Sequence, residues 1–269
     1  MVLDQHRGGS GEPLVLVHGI GHTWRGWKPM LPGLEQRFEV LGVDLPGFGH
    51  SPPLPAGTPY SIDAFADAVE EAFEAAGFDR PLVCGNSLGG WTALELARRG
   101  SVRGVVGISP AGLMAPREAE WATIVLNSMR NMVKGAPLAA PLLRTTVGRT
   151  LLAGPSLGKP WRADPEDLIE QAELLANAPA WEPTLAELKP DGHVAGLDEI
   201  RCPVLILWGT RDVILIPRQG RRFERLIPDA ELKYLKGLGH VPMSDAPELL
   251  VREIVDFAAR VSSPVAATA

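Results

Sequence analysis

Cysteine is scarce in this 269-residue chain: only Cys84 and Cys202 occur, each in or beside an apolar run. That excludes a disulfide framework as the basis of the fold, and both are expected as free, buried thiols. Positive charge is in deficit, with 26 Lys and Arg against 32 Asp and Glu and a net charge of −6. No basic field is available to draw in nucleic acid or an anionic membrane, so neither is an expected partner. Long hydrophobic runs are missing too. No stretch approaches the roughly 20 apolar residues that span a bilayer, and the N-terminus lacks the basic-then-apolar pattern of a signal peptide, so a cytoplasmic protein is expected. The six histidines do not fall in HExxH spacing and there is no CxxC, which leaves nothing that argues for a metal site.

What is present is material for a core: 45% hydrophobic and 22% charged residues, enough for one α/β domain or one carrying an insertion. Six short apolar runs read as strands: Leu14 to Val17, Val40 to Val43, Pro81 to Cys84, Val105 to Ile108, Val204 to Trp208 and Glu231 to Leu235. Continuous apolar runs suit strands covered on both faces. Between them lie helical patterns. Ile62, Phe65, Ala66, Val69, Phe73 and Ala76 share one helix face, with Ser61 placed to cap the start and Gly77 to end it. Strand alternating with helix predicts a mostly parallel central sheet flanked by helices.

The alternation stops over 112–197, where proline recurs and strand-like runs vanish, and a helical insertion is expected there, including helices near Trp121 to Val133 and Pro165 to Ala176. The core is then 1–111 with 198–261. The tail 262–269 carries little to pack and is expected to fray.

Gly85-Asn86-Ser87-Leu88-Gly89 fits G-x-S-x-G, with a strand before it and a helix after it. A sharp strand-to-helix turn strains the serine and crowds the positions two residues away, which glycine relieves. The helix beginning at Leu88 aims N–H groups and its positive dipole end at whatever bonds to the serine oxygen. A serine hydroxyl is a weak nucleophile that needs a base in contact and a third group to orient the base. Asp212 follows the strand Val204 to Trp208, and His240 follows Glu231 to Leu235, so both stand at the sheet edge that presents Ser87. Chain order is Ser, Asp, His. For the oxyanion, Leu88 N–H supplies one donor and Ile20 N–H, in the loop after Leu14 to Val17, the second. His18 reads as a structural hydrogen-bonding residue of that loop.

Other motifs have structural readings. Asp44 in DLPGFGHS sits in a turn rather than a second catalytic site, and Asp245 with Glu248 reads as a capping box for the last helix. The strand followed by Gly19-Ile20-Gly21, with Asp44 about 20 residues further on, imitates a dinucleotide fingerprint but has Trp24 where the third glycine must stand.

Taken together, His18-Gly19-Ile20-Gly21, DLPGFGHS at Asp44 to Ser51, the elbow at Ser87, WGTRD ending at Asp212 and GHVP at His240 resemble the α/β-hydrolase superfamily over essentially the whole chain. The resemblance implies that the insertion is a lid and that no cofactor is used. Relatives carry two strands before the equivalent of Leu14 to Val17, where only about a dozen residues stand here, so a sheet short by at least one strand is expected. It implies a serine hydrolase acting on a small, apolar acyl compound, an ester first. The elbow GNSLGG also resembles C–C bond hydrolases that cleave vinylogous diketones, which usually have tryptophan after the histidine where this chain has Val241. A ligand-binding receptor on the same fold is the third reading. Lid residues Trp121 and Trp181, with Trp161, Met114, Met129 and Met132, are candidates to line the acyl pocket.

Overall fold

In the computed structural model, which describes residues 1–134, 139–187 and 195–262, seven strands form one sheet. They are β1 (Gln5–Gly9), β2 (Glu12–Val17), β3 (Phe38–Val43), β4 (Leu82–Asn86), β5 (Gly104–Ile108), β6 (Val204–Gly209) and β7 (Ala230–Leu235), in the order β1-β3-β2-β4-β5-β6-β7. Only β1 runs antiparallel, to β3. One strand therefore precedes β2 among the described residues. β1 has no apolar signature: it lies at one edge of the sheet, exposed at alternate positions, and its sequence QHRGG satisfies backbone pairing and little else.

Among the described residues, the α-helices of five or more residues are α1 (Ile62–Ala75), α2 (Leu88–Arg99), α3 (Pro116–Lys134), α4 (Ala139–Leu143), α5 (Thr146–Ala153), α6 (Pro165–Asn177), α7 (Trp181–Glu187), α8 (Gly220–Leu226) and α9 (Pro247–Ser262). Ser61 starts α1 by accepting from Ala64 N–H at 3.2 Å, and Gly77 leaves it at φ 82°. Alternation in the strands divides the core. Val15, Val17 and Val83 face the side covered by Phe65, Val69 and Phe73 of α1, while Leu14, Leu16 and Cys84 face the side covered by Leu250, Ile254 and Phe257 of α9. Each such large apolar side chain contributes about 1.5–3 kcal/mol by leaving water. Cys84 and Cys202 are free and buried, and burial pushes both thiols up, Cys202 to about 11.

Among the described residues, five α-helices, α3 to α7, lie between β5 and β6. The tail beyond Ser262 lies outside the described residues. The connections from β2 to β3 and from β3 to β4 send the chain to opposite sides of β2, which makes the C-terminal ends of β2 and β4 the switch point where open α/β sheets form a crevice. No helix among the described residues is long and apolar enough to cross a membrane.

Candidate active site

Ser87 stands between β4 and α2 with φ 55° and ψ −114°, in a region that L-residues rarely occupy. Such backbone strain costs on the order of 1–3 kcal/mol and persists only where surroundings over-determine it. Here they do: Ser87 N–H donates to Ile108 O, and Ser87 O accepts from the N–H groups of Trp91 and Ala111, all at 3.0 Å. The flanking glycines are steric necessities. A Cβ on Gly85 would lie 2.1 Å from Gly89 O, and one on Gly89 2.2 Å from Val17 O.

The loop after β2 folds against this elbow as a tight turn, His22 N–H to Gly19 O at 3.1 Å, with Gly21 at φ 69°. Gly19 lies so close that a Cβ there would come within 3.0 Å of Ser87 Cβ. Neither Ile20 N–H nor Leu88 N–H has an acceptor among the described residues, and both residues border the space beside Ser87. His18 holds the loop: Nδ1 donates to Gly19 O at 2.7 Å, which leaves Nε2 to accept from Leu45 N–H at 2.8 Å. Burial holds this imidazole at about 3, so it is neutral, and burial likewise holds His22 at about 4. A residue from the far side of the cavity fixes the turn as well. Gln171 of α6 donates through Nε2 to Gly21 O at 2.8 Å and accepts from Thr23 Oγ1 at 3.3 Å.

At the ends of β6 and β7 the sheet delivers the other two groups. Asp212 Oδ1 accepts from the N–H groups of Ile214 (2.9 Å) and Leu215 (2.8 Å), and Oδ2 meets His240 Nδ1 at 2.7 Å. With Nδ1 protonated toward Asp212, Nε2 is the ring nitrogen left with a lone pair. Both side chains are buried. Asn86, the residue before Ser87, donates from Nδ2 to His240 O and Ile108 O, each at 3.0 Å, and so ties the elbow to the loop after β7.

Asp245 does not cap the last helix. Its carboxylate is buried and accepts from Gly239 N–H (2.9 Å), Gly158 N–H and Lys159 N–H (both 2.7 Å), binding the helical segment to the residue next to His240. Helix α9 begins at Pro247, and none of its N–H groups bonds to this carboxylate among the described residues. Asp44 is a turn residue whose carboxylate accepts from the N–H groups of Trp24 (2.7 Å) and His50 (3.0 Å); burial holds it up at about 6 against those bonds.

A cavity of 360 Å³ opens over Ser87 and His240, walled by Met129, Leu143, Leu152, Leu175 and Trp181. Trp181 is in this wall, with its indole N–H on Asn127 Oδ1 at 3.1 Å. Trp121 is not: it is 50% exposed on the outer face of α3 and donates to Val213 O at 2.7 Å. Trp161 is exposed as well, whereas Met129 lines this cavity and Met114 a smaller one behind Ser87. No cluster of metal-ligating side chains occurs among the described residues.

Asn86, Gln171 and Asp245 were missed as site residues in the sequence. Asn86 alone had a signal, its place beside Ser87, whereas the other two act through backbone groups that only the fold brings near.

The profile of the alpha/beta hydrolase family matches residues 14–253. The epoxide hydrolase EphH of Mycobacterium tuberculosis is 30% identical over 206 residues, 73% of this chain and 94% of that protein. The pimeloyl-[acyl-carrier protein] methyl ester esterase of Photobacterium profundum is 29% identical over 267 residues, 93% of this chain and 95% of that protein. Among solved structures, a thermophilic esterase from Thermogutta terrifontis superimposes with a TM-score of 0.74 at 24% identity, over 97% of this chain and 94% of that one.

Proposed function

Because the chain belongs to the alpha/beta hydrolase family, we propose that it is a serine hydrolase of small carboxylic esters, with Ser87 as nucleophile, His240 as base and Asp212 as the group that orients the base. The observation that carries this reading is the 2.7 Å bond from His240 Nδ1 to an aspartate whose other oxygen is already held by two backbone N–H groups. That carboxylate cannot turn away, so the imidazole keeps Nε2 as its proton acceptor.

The chemistry follows from the roles. Ser87 Oγ bonds to the ester carbonyl carbon as its proton passes to His240 Nε2, and the oxyanion is stabilised by Ile20 and Leu88 N–H. The bond to the alcohol oxygen breaks as His240 returns the proton to it. Water then attacks the acyl-enzyme, giving its proton to His240, and the bond from the acyl carbon to Ser87 Oγ breaks as His240 returns that proton to Oγ and the acid leaves. In this reading 112–197 is a lid over an apolar acyl substrate and 1–111 with 198–261 is the core, working in the cytoplasm. A serine, not a carboxylate, at the nucleophile position sets the chain apart from epoxide chemistry.

The elbow GNSLGG favours one second reading, hydrolysis of a C–C bond in a vinylogous diketone, with Val241 in place of the usual tryptophan counting against it. A panel of esters differing in acyl length and ring content, with one dienone diketone, tests both. Ester turnover that vanishes in Ser87→Ala supports the first, and diketone turnover without ester turnover replaces it with the second. Turnover of neither leaves a ligand-binding protein on a hydrolase fold.

A further inference from the structure

Two cavities meet at Ser87, and they are unequal: 360 Å³ on one side and 30 Å³ on the other. Ile20, Ser87, Leu126 and Ile214 border both and form the waist between them. His240 and Val241 border only the large one. Leu88, Ala111, Met114, Ala119, Ala122 and Leu185 border only the small one.

Resting on the reading of Ser87 as the acyl-accepting nucleophile, we infer that the preferred substrate is a short acyl group, with no more than about three carbons beyond its carbonyl, esterified to a bulky apolar alcohol. The direction of proton transfer decides which substituent enters which cavity. When the bond from the acyl carbon to the alcohol oxygen breaks, that oxygen takes the proton that His240 received from Ser87, so it must lie on the His240 side. Its alkyl group therefore extends into the large cavity. The acyl chain, on the opposite side of the carbonyl carbon, is left with the small cavity beside Leu88. It stays there on Ser87 until water attacks, passes a proton to His240 and releases the short acid.

A water-sized group needs about 10–15 Å³ on this measure, so 30 Å³ holds about two or three heavy atoms. The small cavity is also poorly placed to swell. Ala119 and Ala122 follow Glu118 at the start of α3, and that buried carboxylate accepts from Arg218 (2.9 Å), Arg222 (2.5 Å) and Ala115 N–H (2.8 Å), which pins the helix to the far end of the sheet. The large cavity is apolar along Met129, Leu143, Leu152, Leu175 and Trp181, and its lining also includes the charged residues Arg25, Arg162, Asp164, Asp167 and Glu170. An apolar alcohol of substantial size matches that lining. This polarity is opposite to that of the methyl ester named for the Photobacterium relative, where the small group is the alcohol.

Hexyl acetate and methyl heptanoate are isomers that differ only in which side of the ester is long. Measured on the whole protein by titrating the released acid, kcat/KM is expected to favour hexyl acetate by at least tenfold. Met114→Ala, which removes a wall of the small cavity, is expected to raise the rate on hexyl hexanoate relative to hexyl acetate by at least fivefold. Equal rates on the isomers, or a preference for methyl heptanoate, overturn the inference and leave the hydrolase reading standing. An unchanged acyl preference in a folded Met114→Ala protein overturns it too. Absence of Ser87-dependent hydrolysis on these and on every other ester of the panel removes the hydrolase reading and the inference with it.

Discussion

Asn86 donates its side-chain amide to the carbonyl oxygen of His240 at 3.0 Å, so the residue beside the proposed nucleophile holds the backbone of the proposed base. The second N–H of the same amide goes to Ile108 O, which also receives Ser87 N–H. In Asn86→Ala both buried carbonyls lose a donor, at about 1–3 kcal/mol in stability. The expected outcome is a lower Tm and a kcat reduced about 10- to 100-fold with KM little changed, because a misplaced base is felt in the reaction step. Steady-state kinetics beside a thermal melt check it, and a full-rate variant of reduced Tm would show that Asn86 has a structural part alone.

Asp245→Asn retains size but exchanges one acceptor oxygen for an NH₂ that faces backbone donors. Three N–H groups converge on the carboxylate, from Gly158, Lys159 and Gly239, so at least one is orphaned. Limited proteolysis is expected to cut the variant near Gly158 under conditions where the wild type resists. Equal resistance of the two proteins would contradict a clamping role.

Gln171→Leu removes the only side-chain donor to Gly21 O among the described residues, in the turn that presents Ile20 N–H. Loss of one oxyanion donor costs on the order of 10²–10³ in kcat in well-studied hydrolases, and loosening one should cost a part of that. A drop of about tenfold in kcat on a small ester is expected. If KM alone moves, Gln171 belongs to the cavity wall and not to the turn.

Stability should fall in acid because of two desolvated imidazoles, His18 in the core and His22, half-buried, in the cavity wall. Burial holds His18 at about 3 and His22 at about 4, while an unfolded histidine titrates near 6.5. Below about pH 6.5 the unfolded chain therefore binds more protons than the folded one, and each group removes about 1.4 kcal/mol per pH unit down to its folded value. Asp44, held up at about 6 by burial, has the opposite sign between 6 and 3.8, where the folded protein takes its proton first. Two groups outweigh one. Tm is expected to decline from pH 6.5 to 4.5, less steeply in His22→Gln, and a wild-type Tm that is flat over that range would refute the argument.

How much of this was legible in the sequence depended on whether a residue acts through its neighbours in the chain. The six apolar strands and the elbow at Ser87 could be read because period, glycine spacing and order are local. β1 could not, since QHRGG has no apolar run and is held by backbone pairing with β3. Trp121 and Trp181 looked alike as apolar residues of one insertion, yet one faces outward from α3 and the other lines the cavity, a difference set by which helix face packs inward. Asp245 resembled a cap because Glu248 follows at the right spacing. Three backbone N–H groups brought together by the fold, two of them from nearly ninety residues away, made a better site for its charge.

Whether Ser87 forms the acyl-enzyme with His240 as its base is read by mass spectrometry of the acid-quenched protein during turnover of a short-chain nitrophenyl ester. At most one acyl group per chain is expected, located on the peptide that contains Ser87, and none on Ser87→Ala or His240→Ala proteins whose melts match the wild type. An acyl group on another residue, or wild-type rates of turnover in Ser87→Ala, would contradict it.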